Sequence, residues 1–95
     1  MKEIPEFVLK LREELIRIAA KYGVDDLRFR NYEPYSNEDF EAQFIEFYVK
    51  QDLNRKIYSL ISELEECLRM RTYLTDLNGL YPGFEKALQE NSVSL

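Results

Sequence analysis

Asp39 and Glu41 stand two residues apart, and Glu46 follows in the most strand-like run of the chain. In an extended strand residues i and i+2 share a face, so Asp39 and Glu41 would present two carboxylates side by side. Carboxylates that converge on one point hold a divalent cation, and a cation so held neutralises charge on a transferring phosphoryl group. Glu46 is the third candidate, because a charge inside an apolar strand needs a partner or water. Each residue also has a plainer reading. Asp39 and Glu41 belong to the acidic run Glu38-Asp39-Phe40-Glu41, which suits a solvated loop or strand start. Glu46 can face water on a sheet covered on one side. No glycine lies nearby to cradle a phosphate, so these three carboxylates stand as candidates without an assigned metal, cofactor or catalytic role.

Other chemistries are excluded by residue type. Histidine is absent and cysteine occurs once, at Cys67. Ser–His and Cys–His nucleophile pairs and the usual zinc sites are thereby removed. A lone cysteine cannot form an internal disulfide, which fits a reducing compartment, and cytoplasm is the expected location. Cys67 falls beside an apolar stripe with no His or Lys placed to activate it, and reads as a small half-buried filler. Eighteen acidic against 13 basic residues give a net charge of −5. That field repels a phosphate backbone unless cations gather on one face. The pairs Arg28 with Arg30, Arg55 with Lys56, and Arg69 with Arg71 read as solvated surface charge, so nucleic acid is not the expected partner. No run reaches the length of a membrane span, and the start MKEIPEF lacks the apolar segment of a secretory signal.

The elements that must position these residues follow from periodicity. Val8, Leu11, Leu15, Ile18 and Tyr22 recur at helical spacing, predicting a helix from about Pro5 to Tyr22 that stops at Gly23. Leu27 and Phe29 alternate with Arg28 and Arg30, predicting a strand over Val24–Arg30. A turn region around Pro34 leads to a second strand over about Glu41–Lys50, rich in aromatic and β-branched residues. A short connection predicts that these two strands pair antiparallel. Asp52 or Asn54 would cap a second helix with the stripe Leu53, Ile57, Leu60, Ile61, Leu64 and Leu68. Thr72–Thr75 predicts a third strand, parallel to the second across that helix. Phe84, Ala87 and Leu88 would form the buried stripe of a short last helix. Ninety-five residues, 45% of them hydrophobic, fit one domain with one core. The expectation is an α+β fold with a small mixed sheet of about three strands, ordered α-β-β-α-β-α.

Three stretches, Leu11–Arg30, Ile57–Thr75 and Leu77–Leu95, make the chain resemble a minimal nucleotidyltransferase. Such domains belong to the nucleotidyltransferase superfamily and often pair with a HEPN partner in a toxin–antitoxin-like arrangement. The likeness covers the opening helix with its Gly turn and first strand, the second helix with the strand after it, and the Tyr81-Pro82 step before a short helix. Active members carry Gly-Ser after the first strand, then Asp-x-Asp, and a third Asp on the following strand. Here the Gly-Ser positions fall at Asn31 and Tyr32, the Asp-x-Asp near Gln43 and Ile45, and the third Asp at Tyr73. None of these is glycine or acidic.

The resemblance therefore implies a nucleotidyltransferase-like interaction domain without catalysis, partnered by a second copy or by a HEPN-type helical protein. Tyr32, Tyr35, Tyr48 and Tyr73 are the rings that would fill its groove, since tyrosine joins broad apolar contact to a polar tip. They could equally be core and rim of one domain. The alternative expectation is a divergent metal-dependent nucleotidyltransferase using Asp39, Glu41 and Glu46. A third is a binding module of unrelated ancestry that shares only the pattern of elements.

Overall fold

The computed structural model describes residues 4–33, 44–78 and 80–95, leaving out the side chains of 31–33. Eight elements follow in order: α1 (Glu6–Lys10), α2 (Arg12–Lys21), β1 (Arg28–Glu33), β2 (Phe44–Val49), α3 (Lys56–Leu68), β3 (Arg71–Asp76), α4 (Pro82–Glu90) and β4 (Val93–Ser94). The strands form one mixed sheet in the order β3-β2-β1-β4. β1 runs antiparallel to both β2 and β4, while β2 and β3 are parallel across α3. The expected pairing of the first three strands is therefore present. The fourth strand is additional to the three expected. Its residues carry no strand pattern of their own, and they pair because Leu95 N–H reaches the Leu27 carbonyl at 2.9 Å beside the Phe29–Val93 register.

The core lies between α2, α3 and one face of the sheet. Leu15, Ile18 and Ala19 from α2 and Leu60, Leu64 and Leu68 from α3 are buried against Phe29, Ile45, Phe47 and Val49. Phe29 and Phe47 meet edge to face, with centroids 6.1 Å apart. The alternation along β2 turns Phe44, Glu46 and Tyr48 to the opposite face.

Local chemistry explains the element ends, and corrects three expectations. The first helix is divided at Leu11, whose N–H bonds the Val8 carbonyl at 3.1 Å in a tighter turn, giving α1 and α2 where one helix was expected. α2 ends as predicted at Gly23, which adopts φ +83°. Gly23 N–H bonds Ala20 O and Val24 N–H bonds Ala19 O, the paired closure that a left-handed residue makes possible. Neither Asp52 nor Asn54 caps α3 through its side chain. The Asp52 carboxylate instead accepts from the Asn54 backbone N–H at 3.2 Å, closing the turn before the helix.

The stripe expected on α4 is the third correction. Phe84 is 57% exposed, Ala87 is exposed, and no residue of the helix is buried. Its polar side holds it instead. Lys50 pairs with Glu85 at 3.3 Å, and Arg28 donates to the Gln89 carbonyl at 3.2 Å. Arg28 is turned away from Phe29 and the core, so α4 sits beside the face that α2 and α3 leave open. Among the described residues no helix is long and apolar enough to cross a membrane.

Candidate functional site

The candidate carboxylates divide between what the structure describes and what it does not. Asp39 and Glu41 lie outside the described residues, as does Tyr35. Glu46 lies in the middle of β2 on the outer face. Its carboxylate accepts a hydrogen bond from the Arg30 guanidinium at 3.1 Å, and both side chains are half-buried. The β1–β2 register shifts between Phe29 and Asn31, which places Arg30 at a bulge. An extra residue at a bulge re-aims its side chain, and here it brings the cation across to β2.

Two rings flank this ion pair. Phe44 and Tyr73 pack edge to face with centroids 5.0 Å apart and planes at 76°. Tyr48, two residues beyond Glu46, is only 2% exposed, and burial pushes its phenol above the ordinary range. Arg30 opposes that rise and Glu46 adds to it. Tyr73 remains 45% exposed at the rim. The parallel register sets Tyr73 directly beside Glu46. Tyr48 and Tyr73, two of the four tyrosines singled out in the sequence, therefore share one face. Tyr32 pairs with Ile45 in the backbone register.

Of the three positions assigned to acidic residues, Gln43 lies outside the described residues, and Ile45 and Tyr73 separate by face. Ile45 is fully buried among core side chains under the helices, whereas Tyr73 points the other way. Phe44 and Glu46 are the i, i+2 pair that shares a face with Tyr73. This one-residue difference follows from strand alternation, which sequence spacing alone leaves free by a residue. Arg30 was the residue that sequence reading missed. Its alternation with Phe29 read as solvent exposure, and only the bulge gives it a carboxylate partner.

Elsewhere the polar clusters are structural. Glu63 accepts from both the Lys21 ammonium and the Tyr22 hydroxyl, joining α2 to α3. Those bonds, Lys21's first, hold its carboxyl below the usual range, and the same contacts raise Lys21 and Tyr22. Burial pushes the Cys67 thiol up, with Glu14 adding to the effect, so the thiolate needed for nucleophilic chemistry is suppressed. A groove of ≈ 580 Å³ opens between the end of α2 and the start of α3, lined by Tyr22, Gly23 and residues 51–56. Asp52 lies there beside Arg55 and Lys56, with no convergence of one charge. Among the described residues no three acidic or sulfur groups gather in a way that could hold a metal ion.

Compared with protein-family models, with curated proteins and with solved structures, the chain finds no match.

Proposed function

We propose that this chain is a non-catalytic interaction domain of nucleotidyltransferase-like architecture, working through the outer face of its sheet and the adjoining edge. The observation that carries this reading is the occupancy of one small area. Of the positions that the resemblance assigns to carboxylates, Ile45 lies in the core and Tyr73 on the outer face, where its neighbours on β2 are Phe44 and Glu46. Phe44 and Tyr73 are spent on each other as a ring pair, and Glu46 is neutralised by Arg30. A carboxylate already bonded to guanidinium must lose that partner before it can accept a cation, and removing one member of a half-buried pair is costly. An aromatic patch with one ring at the rim suits contact with protein, since rings bury large area with few rotatable bonds.

The partner is a second copy of the chain or a helical protein of the HEPN kind. Thermal unfolding with millimolar magnesium and each of the four nucleoside triphosphates tests the catalytic alternative. A ligand of the native state raises its melting temperature, by about 2.7 kcal/mol of stability at a hundredfold excess over Kd. The expected result is no shift, for the native chain and for Glu46→Gln alike. A magnesium-dependent rise that Glu46→Gln abolishes would overturn the proposal in favour of a divergent transferase.

A further inference from the structure

The chain passes from β3 to α4 through Asp76-Leu77-Asn78-Gly79-Leu80. Leu77 anchors this link, with its side chain fully buried and its N–H donating to the Val49 carbonyl at 2.8 Å. The Asp76 carboxylate accepts from the Asn78 backbone N–H at 2.8 Å, and the Leu80 N–H closes onto the Leu77 carbonyl at 3.4 Å. Bonds on both sides thus fix the backbone at Asn78, and none of them uses its carboxamide. That side chain is exposed, and among the described residues it has no hydrogen-bond partner.

An asparagine carboxamide is an electrophile, and the amide nitrogen of the next residue is a nucleophile within reach of it through a five-membered ring. A side chain on that next residue crowds the attack, and glycine has none. Of the five asparagines in the chain only Asn78 precedes a glycine. Asn31, Asn37 and Asn54 are followed by Tyr32, Glu38 and Arg55. Asn91 is held twice over. Its Nδ2 donates to the Ala87 carbonyl at 2.8 Å, and the N–H of Ser92 after it donates to the Gln89 carbonyl at 3.2 Å.

We propose that Asn78 is a self-modification site, at which the folded chain converts to aspartyl and isoaspartyl forms without a cofactor or a second protein. The Gly79 nitrogen gives up its proton to water and bonds to Cγ of Asn78. The Cγ–Nδ2 bond then breaks, and ammonia leaves with a proton from water. Water next opens the resulting succinimide at either carbonyl, one opening giving aspartate and the other isoaspartate. Both products replace a neutral carboxamide by a carboxylate, two residues from Asp76, and take the net charge from −5 to −6. The isoaspartyl form also lengthens the link from β3 to α4 by one backbone carbon. This inference goes beyond the interaction-domain reading and does not depend on it.

Peptide mass mapping of the full chain, incubated folded and in urea at about pH 6 and about pH 8, tests this. The expected result is a gain of about one dalton confined to the peptide that holds Asn78, resolved by chromatography into two products. It should be faster at the higher pH, since the attacking nitrogen must lose its proton. The folded rate should lie within about tenfold of the rate in urea, because the fold leaves this carboxamide unheld. Asn91 is expected to convert in urea alone. Gly79→Val should slow conversion at Asn78 in both states, and the urea arm reads that effect even if the variant does not fold. A folded chain that stays unmodified while the unfolded chain converts at Asn78, or one that converts first at Asn91, overturns the proposal. A Gly79→Val rate equal to the native rate in urea overturns the route. Either failure leaves the non-catalytic reading standing, since that reading fails only on magnesium-dependent nucleotide binding.

Discussion

Glu63 gathers Lys21 and Tyr22 onto one carboxylate, so its protonation is linked to the packing of α2 on α3. Its carboxyl is held below the ordinary 4.5, so its contribution is fully present above that value and is lost as pH falls through the lowered one. Lys21 and Tyr22 are raised above their ordinary 10.5 and 10.0, and their contribution is lost only as pH rises beyond those values. Glu63→Gln is expected to flatten both limbs. In melting curves recorded from about pH 3 to pH 11, native and variant should converge at the ends and differ most near neutrality. Equal separation at every pH would show that the carboxylate acts through packing alone. At this scale the sequence exposed some roles and hid others. Gly23 was readable as a helix end because a left-handed residue after an apolar stripe favours glycine. The Glu63 cluster was not readable, since its partners lie in a different helix and nothing local marks them.

Among the elements, Arg28 does more than its place in an exposed-looking alternation implied. Its guanidinium reaches Ser92 and Ser94, the carbonyls of Gln89 and Ser92, and the Asp26 carboxylate at 3.2 Å. One side chain on β1 thus ties the end of α4, Ser92 and Ser94 of β4 to the sheet. Hydrogen bonds to a charged group contribute about 1.5–3 kcal/mol each, and deletion of such a hub leaves several carbonyl and hydroxyl partners unmet. Arg28→Ala is expected to cost about 2–3 kcal/mol in urea unfolding, with amide exchange rising first over residues 82–95. A uniform rise across the chain would contradict that assignment. Of the long elements that carry the core, α2 and α3 were legible because each buries a face with a clear period, and β2 because it is a run of aromatic and β-branched residues. α4 was misread for the same reason in reverse. Its helical spacing is real, yet Phe84 faces solvent because the helix is held by Lys50 and Arg28 at its polar side. β4 was invisible because two residues have no period, and a pairing imposed by β1 leaves no trace in them.

For the molecule as a whole, the net charge of −5 and the single mixed sheet leave two surfaces on which function could reside. The helical layer is tied across α2 and α3 by Glu63 and carries the groove between the end of α2 and the start of α3. Among the described residues α4 lies at one end of the outer layer, Tyr48 is buried, and Tyr73 is exposed beside the Arg30–Glu46 pair. Self-repulsion between two copies at this net charge is modest in physiological salt, where the screening length is about 8 Å. The fold class was legible because a pattern of helices and strands this short admits few topologies once strand pairing is right-handed and local. A water-facing Glu46 was one of the readings open in the sequence, and its neutralisation by Arg30 was not legible, because a bulge cannot be counted from sequence.

The most direct measurement is an amide correlation spectrum of the chain, titrated with magnesium and each nucleoside triphosphate. With Phe44 and Tyr73 joined and Glu46 bound to Arg30, the amides of residues 44–48 and 71–76 should hold their positions throughout. Saturable displacement confined to those amides, dependent on magnesium, would contradict the account.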